Sequence, residues 1–457
     1  MASSIRTLNP ATGKIEKEFQ AYTSDEINQY IDEAHELYQT WRFESFEERK
    51  AVMKRVANEM RVQKSRLAAL ITTEMGKPLS ESEIEVEYSA NIIEYYADNA
   101  AEFLADTQLE TEKGTAYVVS EPIGVLLGVM PWNFPFSQIA RFAGPHIMVG
   151  NTVVLKTASN IPQCGIAFEE MFTTAGAPKG LYKNLLVSGK DTDSIVENPK
   201  IVGVSLTGSE AAGAQVASLA GKNVKPSVLE LGGSDPMIVL DDADIEKVMN
   251  GTINGRLRNA GQACTSSKRI IVQEGIYDEY LKQITAYVNN MKVGDPTQAD
   301  TNMGPVSSET ALVKLLDQVN QSVEKGAKIV SGGKRIDRDG FFLEPTILTE
   351  IKPGMKAYDE EIFGPVVCIW KVKDAEEALK IANDTPFGLG ASIYTKNVEL
   401  AQKLARRIDS GMVYVNKQVS SSPELPFGGT KHSGYGRELS KAGILEFLNK
   451  KLVMIAK

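Results

Sequence analysis

The chain has 457 residues, of which 42 % are hydrophobic and 24 % charged, and carries a formal net charge of −9. At about 150 residues per domain this length fits two or three domains with large cores, and the near-average composition excludes collagenous, mucin-like and low-complexity chains. The charge is spread over mixed-sign segments without basic patches interleaved with aromatics, so neither nucleic acid nor an anionic membrane is an expected partner.

The opening stretch MASSIRTLNPATGK has no apolar core of a signal peptide, and the longest apolar stretch, around PIGVLLGVMPW, is too short to cross a bilayer; a cytoplasmic location is expected. From Thr23 to about Leu104 the pattern is helical: TSDE supplies a capping Thr or Ser ahead of Ile27, Ile31, Ala34 and Leu37. Short apolar runs follow, IGVLLGV, NTVVLK, KNLLV, IVGVSL and PSVLEL, separated by helical stretches. That alternation predicts a doubly wound parallel sheet. A second series starts near Asp235, with PMIVL, KRIIVQ, KIVSGG, VVCIWKV and ASIYT as strands, and predicts a second α/β domain. AYVVSEPIGVLLGV reads as a hairpin and KKLVMIAK as a terminal strand. Their edges would be awkward in a monomer and are expected to pair across a subunit boundary, or else to extend the sheets of their own domains.

Cys164, Cys264 and Cys368 are far apart with no CxxC, and His35, His146 and His432 do not fall at ligand spacing. Disulfides, a metal site and a Ser-His-Asp mechanism are therefore not expected. Phosphate-loop fingerprints GxGxxG and GxxxxGK[ST] are absent. The chain offers SLTGSEAAG instead, where a strand ends and a helix begins at Ser209 with free N–H groups and a positive dipole end, in a turn that could equally be a plain capped connection. Lys156 closes the NTVVLK strand, either as a surface residue or near a ribose. Glu230, in LELGG, ends an apolar strand before two glycines that permit a tight turn; partial desolvation would make it a general base, unless a lysine pairs with it or its side chain flips out into solvent. Cys264, in NAGQACTSSKR, has small neighbours and the cations Lys268 and Arg269 downstream, which would favour a thiolate; a buried, inert cysteine is the alternative, and it suits Cys164 and Cys368. Asn133, between the prolines of PWNFP, could donate to an oxyanion or simply form a turn.

Taken together and in order, PWNFP, LTGS, LELGG, NAGQAC, EEIFGPV and PFGG resemble the aldehyde dehydrogenase superfamily over essentially the whole chain. The resemblance implies an α/β fold of two doubly wound, Rossmann-like domains plus a small β oligomerisation element. Residues 1–108 and 128–231 would form the dinucleotide-binding domain, 232–425 the catalytic domain, and 109–127 with 440–457 the oligomerisation strands of a homodimer or homotetramer. It implies that Cys264 attacks the aldehyde, that Asn133 and the Cys264 N–H hold the resulting oxyanion, that hydride leaves to a nicotinamide, and that Glu230 activates the water that hydrolyses the thioester.

Cofactor residues carry over in the same way: Trp132 near the ribose, Lys156 at the adenosine ribose, Ser209 at the pyrophosphate, Glu361 and Phe363 at the nicotinamide end, with Pro131, Gly189 and Leu231 alongside. Ser159 stands where NAD-preferring relatives often carry an acidic residue that repels a 2′-phosphate, so NADP is expected over NAD, with NAD as an accepted second cofactor. Within the superfamily the likeness is greatest to succinate-semialdehyde dehydrogenases. Arg141, Arg258 and Ser422 match their carboxylate-binding positions, which implies a small aldehyde with a distal carboxylate; either arginine could instead be an interdomain ion pair, and an ω-aminoaldehyde or other small aldehyde is the alternative substrate. Some relatives carry a second cysteine two places after the nucleophile; here that residue is Ser266.

Overall fold

A computed structural model describes residues 5–457; residues 1–4, which open the N-terminal stretch read above as lacking a leader, lie outside the described residues. An antiparallel hairpin of Ile5–Asn9 and Lys14–Phe19, not foreseen from the sequence, precedes the helices. Four helices follow, α1 (Ser24–Trp41), α2 (Phe46–Val62), α3 (Lys64–Met75) and α4 (Leu79–Phe103). Thr23 starts α1: its hydroxyl accepts from the Glu26 N–H, and the Glu26 carboxylate accepts from the Thr23 N–H at 2.8 Å. This reciprocal cap satisfies two N–H groups that a helix start otherwise leaves unpaired. Ile27, Ile31, Ala34 and Tyr38 recur at helical spacing and form the buried face. Gly76 ends α3 with φ 80°, a left-handed cap that suits glycine.

The first sheet has the order Gly434–Tyr435, Ser227–Glu230, Ile201–Thr207, Val125–Met130, Thr152–Thr157, Tyr182–Asn184, parallel throughout except for the two-residue first strand. Along Val125–Met130 the side chains alternate between two cores. Val125 and Leu127 pack with Ile27 and Ile31 of α1, and Leu126 and Met130 with α2, α4 and the wholly buried helix α5 (Pro135–Val149). Burial on both faces explains why these strands read as continuous apolar runs. Each fully buried Leu, Ile or Val contributes about 1.5–3 kcal/mol.

The second sheet runs Lys328–Ser331, Thr346–Thr349, Val366–Val372, Arg269–Gln273, Pro236–Val239, Gly390–Tyr394, Met412–Val415, with only the first pair antiparallel. Both faces are again covered, and Cys368 lies in one of its cores as Cys164 does in the first domain. Two of its strands, Thr346–Thr349 and Met412–Val415, were not expected.

The hairpin reading of AYVVSEPIGVLLGV is corrected. Gly114–Pro122 and Val125–Met130 belong to different sheets, the former pairing antiparallel with Leu448–Ala456 and with Thr107–Leu109 in a three-stranded sheet of its own. Nine paired positions to a strand more than 300 residues away outweigh the local turn at Ile123–Gly124. No helix among the described residues is long and apolar enough to cross a membrane.

Thr23→Ala removes the start of α1 and should lower stability by about 1 kcal/mol. A lower denaturant midpoint for the first unfolding transition, with unchanged activity, is the expected measurement.

Candidate active site

In the first sheet the chain builds outward from Val125–Met130, first to Thr152–Thr157 and Tyr182–Asn184 on one side and then to Ile201–Thr207 on the other. The carboxyl ends of Val125–Met130 and Ile201–Thr207 are therefore where successive connections diverge, and such a switch point leaves a crevice for a ligand. Pro131–Trp132–Asn133 leave one strand end. From the other, Gly208–Ser209 lead into the helix Glu210–Lys222, with Ser209 as its cap. The resulting cleft is lined by Pro131, Trp132, Asn133, Thr207, Ser209, Leu231, Cys264, Glu361 and Phe363. Trp132 and Phe363 meet edge to face at 5.9 Å.

The cleft fits a dinucleotide. A 13-residue helix presents its N-terminus to it, and the buried Thr207 hydroxyl on its wall has no hydrogen-bond partner. Lys156, Ser159 and Gly189 lie outside the lining, on the same carboxyl edge of the sheet. Lys156 is level with Val129 on the next strand and donates to the Thr157 carbonyl at 3.2 Å; burial lowers its pKa, with Asp191 opposing. Ser159 is half-buried, and exposed Gly189 opens a turn capped by Ser188.

A second cavity that also reaches Cys264 is lined among others by Tyr88, Phe134, Arg141, Arg258, Ser420, Ser421 and Phe427. Cys264 and Gln138 line both cavities. Ser422 is not in this lining; its two predecessors, Ser420 and Ser421, are. Both arginines have acidic partners. Arg141 Nη2 lies 2.9 Å from Glu438 Oε2, deeply buried and not aligned as a hydrogen bond, and Arg258 Nε lies 3.5 Å from Glu81 Oε2 with two-fifths of its side chain exposed.

The backbone ahead of Cys264 is wound unusually. The helix Ile245–Thr252 widens over Ile253–Leu257 into i to i+5 bonding, and Asn259, Ala260 and Gly261 then take φ of 53°, 51° and 70°. For Asn and Ala this left-handed run is strained, and it persists because the surroundings fix it. The Asn259 N–H donates to Glu81 at 3.0 Å, and its side-chain amide donates to the Asn133 and Gln262 carbonyls at 3.1 and 3.2 Å.

Cys264 itself is half-buried, and burial pushes its thiol up to about 12 against the pull of Arg141 and Lys268. Lys268 thus acts in the expected direction but burial outweighs it, and the expectation is corrected only for Arg269. Lys268 donates to the Ala263 and Cys264 carbonyls at 2.7 Å and lies 3.0 Å from Glu361, so its charge is largely engaged. Arg269 points away, donating to the Tyr358 and Ile381 carbonyls.

Asn133 is buried; its amide donates one N–H to the Gln262 carbonyl at 3.0 Å and its oxygen accepts from Gln138 at 3.1 Å. The second N–H of that amide is left for a ligand. Glu230 is buried with neither carboxylate oxygen hydrogen-bonded and lines neither cavity. Burial, then the neighbouring Glu438, raise its pKa well above the carboxylate range, with Arg141 and Arg437 opposing. No lysine pairs with it.

The glycines of LELGG prove necessary for close approach rather than for a tight turn, since neither has positive φ. A Cβ at Gly232 would come within 2.6 Å of the Glu361 carboxylate, and one at Gly233 within 2.6 Å of the Cys264 carbonyl. Sequence reasoning missed Glu438, Glu81, Lys77 and Glu85. Glu438 sits in GYGREL just after PFGG with no pattern to mark it, and Glu81 and Glu85, four apart on α4, look like a solvated face.

The aldehyde dehydrogenase family model matches residues 1–453. A succinate-semialdehyde dehydrogenase [NADP(+)] of Deinococcus radiodurans is 45 % identical over 98 % of this chain and 94 % of the relative. A probable succinate-semialdehyde dehydrogenase [NADP(+)] of Synechocystis is 43 % identical over 99 % of this chain and all of the relative. The crystal structure of succinic semialdehyde dehydrogenase from Streptococcus pyogenes in complex with NADP+ superposes with a TM-score of 0.97 at 44 % identity, covering 99 % of this chain and 100 % of that one.

With its thiol near 12, the free protein should be alkylated at Cys264 by iodoacetamide at a rate rising about tenfold per pH unit from about pH 6 to 9, because only the thiolate reacts. A plateau below about pH 8 would mean that the nearby cations outweigh burial.

Proposed function

Because this chain belongs to the aldehyde dehydrogenase family, we propose that it oxidises succinic semialdehyde to succinate by forming a covalent bond between the Cys264 sulfur and the aldehyde carbon, with NADP as the preferred cofactor and NAD accepted. One observation carries the reading: Cys264 is the point where a nucleotide-type cleft and an arginine-bearing cavity meet. A substrate entering from one side can thus react with a cofactor held on the other.

The Cys264 sulfur adds to the carbonyl carbon, and the oxygen that becomes negative is held by the free N–H of Asn133 together with the Cys264 backbone N–H. Bound in the cleft, the nicotinamide dinucleotide supplies the acceptor for the hydride that leaves this adduct. Ser209 and its helix terminus would hold the pyrophosphate, Lys156 the adenosine ribose, Trp132 the ribose region, and Glu361 and Phe363 the nicotinamide end, with Pro131 and Leu231 in the cleft wall and Gly189 at the same edge of the sheet. Ser159 presents no carboxylate to a 2′-phosphate, in keeping with the NADP(+) in the names of the relatives. The adduct collapses to a thioester on Cys264. Glu230 in its ionised form takes a proton from the water that releases the acid, and its raised pKa makes that carboxylate a stronger base than an ordinary one.

Arg258 and Arg141 supply the positive end of the cavity for a substrate carboxylate, with Ser420 and Ser421 in the lining beside Ser422. An ω-aminoaldehyde would carry its cation toward the same arginines and be repelled. The proposed division of labour gives residues 1–108 and 128–231 to the cofactor and 232–425 to catalysis. Strands within 109–127 and 440–457, where Leu452, Met454 and Ile455 are exposed, would serve a homo-oligomer. A cytoplasmic setting suits three free cysteines.

Arg258→Ala should lower kcat/KM for succinic semialdehyde about 10- to 100-fold, the worth of a charged hydrogen bond, and alter that for an uncharged four-carbon aldehyde less than about threefold. Equal losses on both would remove the carboxylate assignment. Glu230→Gln should form one equivalent of reduced cofactor and then turn over about 10²- to 10⁴-fold more slowly, with an acyl group on Cys264 visible by mass spectrometry.

A further inference from the structure

We propose that the buried ion pair Lys77–Glu85 is a positioning element that aims the Asn133 amide at the reacting carbonyl. The inference rests on the reading of Asn133 as oxyanion donor.

Lys77 follows the left-handed cap of α3 and Glu85 lies in the second turn of α4; both side chains are about 1 % exposed and they pair directly. The Lys77 ammonium also donates to the Asn133 carbonyl at 3.1 Å and sits 3.9 Å from the centre of the Phe134 ring. The carboxylate of Glu85 accepts from the N–H groups of Phe136 at 3.0 Å and Ser137 at 3.3 Å. These open α5, whose capping position, Phe134, supplies no side-chain acceptor. A carboxylate there satisfies otherwise unpaired N–H groups and meets the positive end of the helix dipole. One ion pair thus grips the loop on both sides: the carbonyl of Asn133 before Phe134 and Pro135, and the N–H groups after them.

The same carbonyl accepts from the Asn259 amide at 3.1 Å, which ties the loop to the strained turn before Cys264. One turn earlier on α4, Glu81 holds the Asn259 N–H. The edge of α4 therefore sets the position of the donor loop and the nucleophile loop relative to each other. Stability alone does not call for an ion pair here, because well-packed apolar replacements of buried pairs are often neutral or stabilising. What the pair provides is a fixed distance, and small misplacements of a donor cost large factors in rate.

The test is a double-mutant cycle on the full chain, read as the first-turnover rate of reduced-cofactor formation after rapid mixing with succinic semialdehyde and NADP. Lys77→Met together with Glu85→Gln leaves no lone charge buried. This double variant should slow the first turnover about 100-fold, the order of losing one oxyanion donor, while NADP Kd stays within about twofold. In an Asn133→Ala background the same two changes should have less than about a twofold further effect, which a merely structural role would not produce. Should the double variant not fold, Lys77→Arg keeps the pairing charge but not the single short donor, and should slow the first turnover at least tenfold. A first turnover within about threefold of the parent in whichever of these variants folds, or an undiminished loss on top of Asn133→Ala, overturns the inference. If Asn133→Ala itself keeps the parental rate, the reading of Asn133 fails instead.

Discussion

Three consecutive left-handed residues, Asn259, Ala260 and Gly261, bring Cys264 to the junction of the two cavities, and the rest of the site is arranged to keep them there. Non-glycine residues in this region cost about 1–3 kcal/mol each, so the turn needs partners that over-determine it. They come from distant parts of the chain: Glu81 of α4, the Asn133 carbonyl of the loop after Val125–Met130, and the Gln262 carbonyl. Gly233 completes the fit by letting the neighbouring strand end pass against the Cys264 carbonyl. Strain in the turn and close packing around it are two sides of one constraint, a sulfur placed where two cavities meet.

Removing these groups from water sets their charge states. Desolvation disfavours the ionised form, and it is the first cause of the upward shifts at Cys264, Glu230 and Glu438. Arg141, paired with Glu438, pulls each of them the other way. For an acid with a raised folded-state pKa, the folded protein holds the proton more tightly than the unfolded chain. Stability is then lost as pH climbs from the ordinary carboxylate range through the raised value. The acids of this site therefore weaken the fold near neutrality, and the apolar cores on both faces of each sheet offset that cost.

Much of this was legible in the sequence because it is local. The cap at Thr23, the apolar runs of the parallel strands, and PWNFP and LTGS at strand ends all express short-range geometry that sheet topology then gathers at one crevice. What was not legible depends on partners far away in the chain. Lys77 and Asn133 are 56 residues apart and Arg141 and Glu438 nearly 300, and a carboxylate on a helix reads as solvated until its partner is known. Arg269 was misread for the same reason: adjacency to Cys264 in sequence placed it near the thiol, whereas strand alternation turns it toward Tyr358 and Trp370. The strand Gly114–Pro122 was assigned to a hairpin because the register to Leu448–Ala456 leaves no local signature.

The position of Glu230 constrains the order of events in the proposed reaction. Its carboxylate lines neither cavity and has Arg141 and Glu438 as charged neighbours. Burial raises the thiol's pKa and disfavours its thiolate, so the sulfur's proton has to pass to water or to a base as the carbon–sulfur bond forms. Gly428 packs against Glu230 in a left-handed conformation, and a Cβ there would lie 2.7 Å from one of the carboxylate oxygens. The absence of that side chain gives the carboxylate room to turn. Only the ionised carboxylate can accept a proton from water, so Glu230 must first give up its own proton, and burial beside Glu438 makes the carboxylate that results a stronger base.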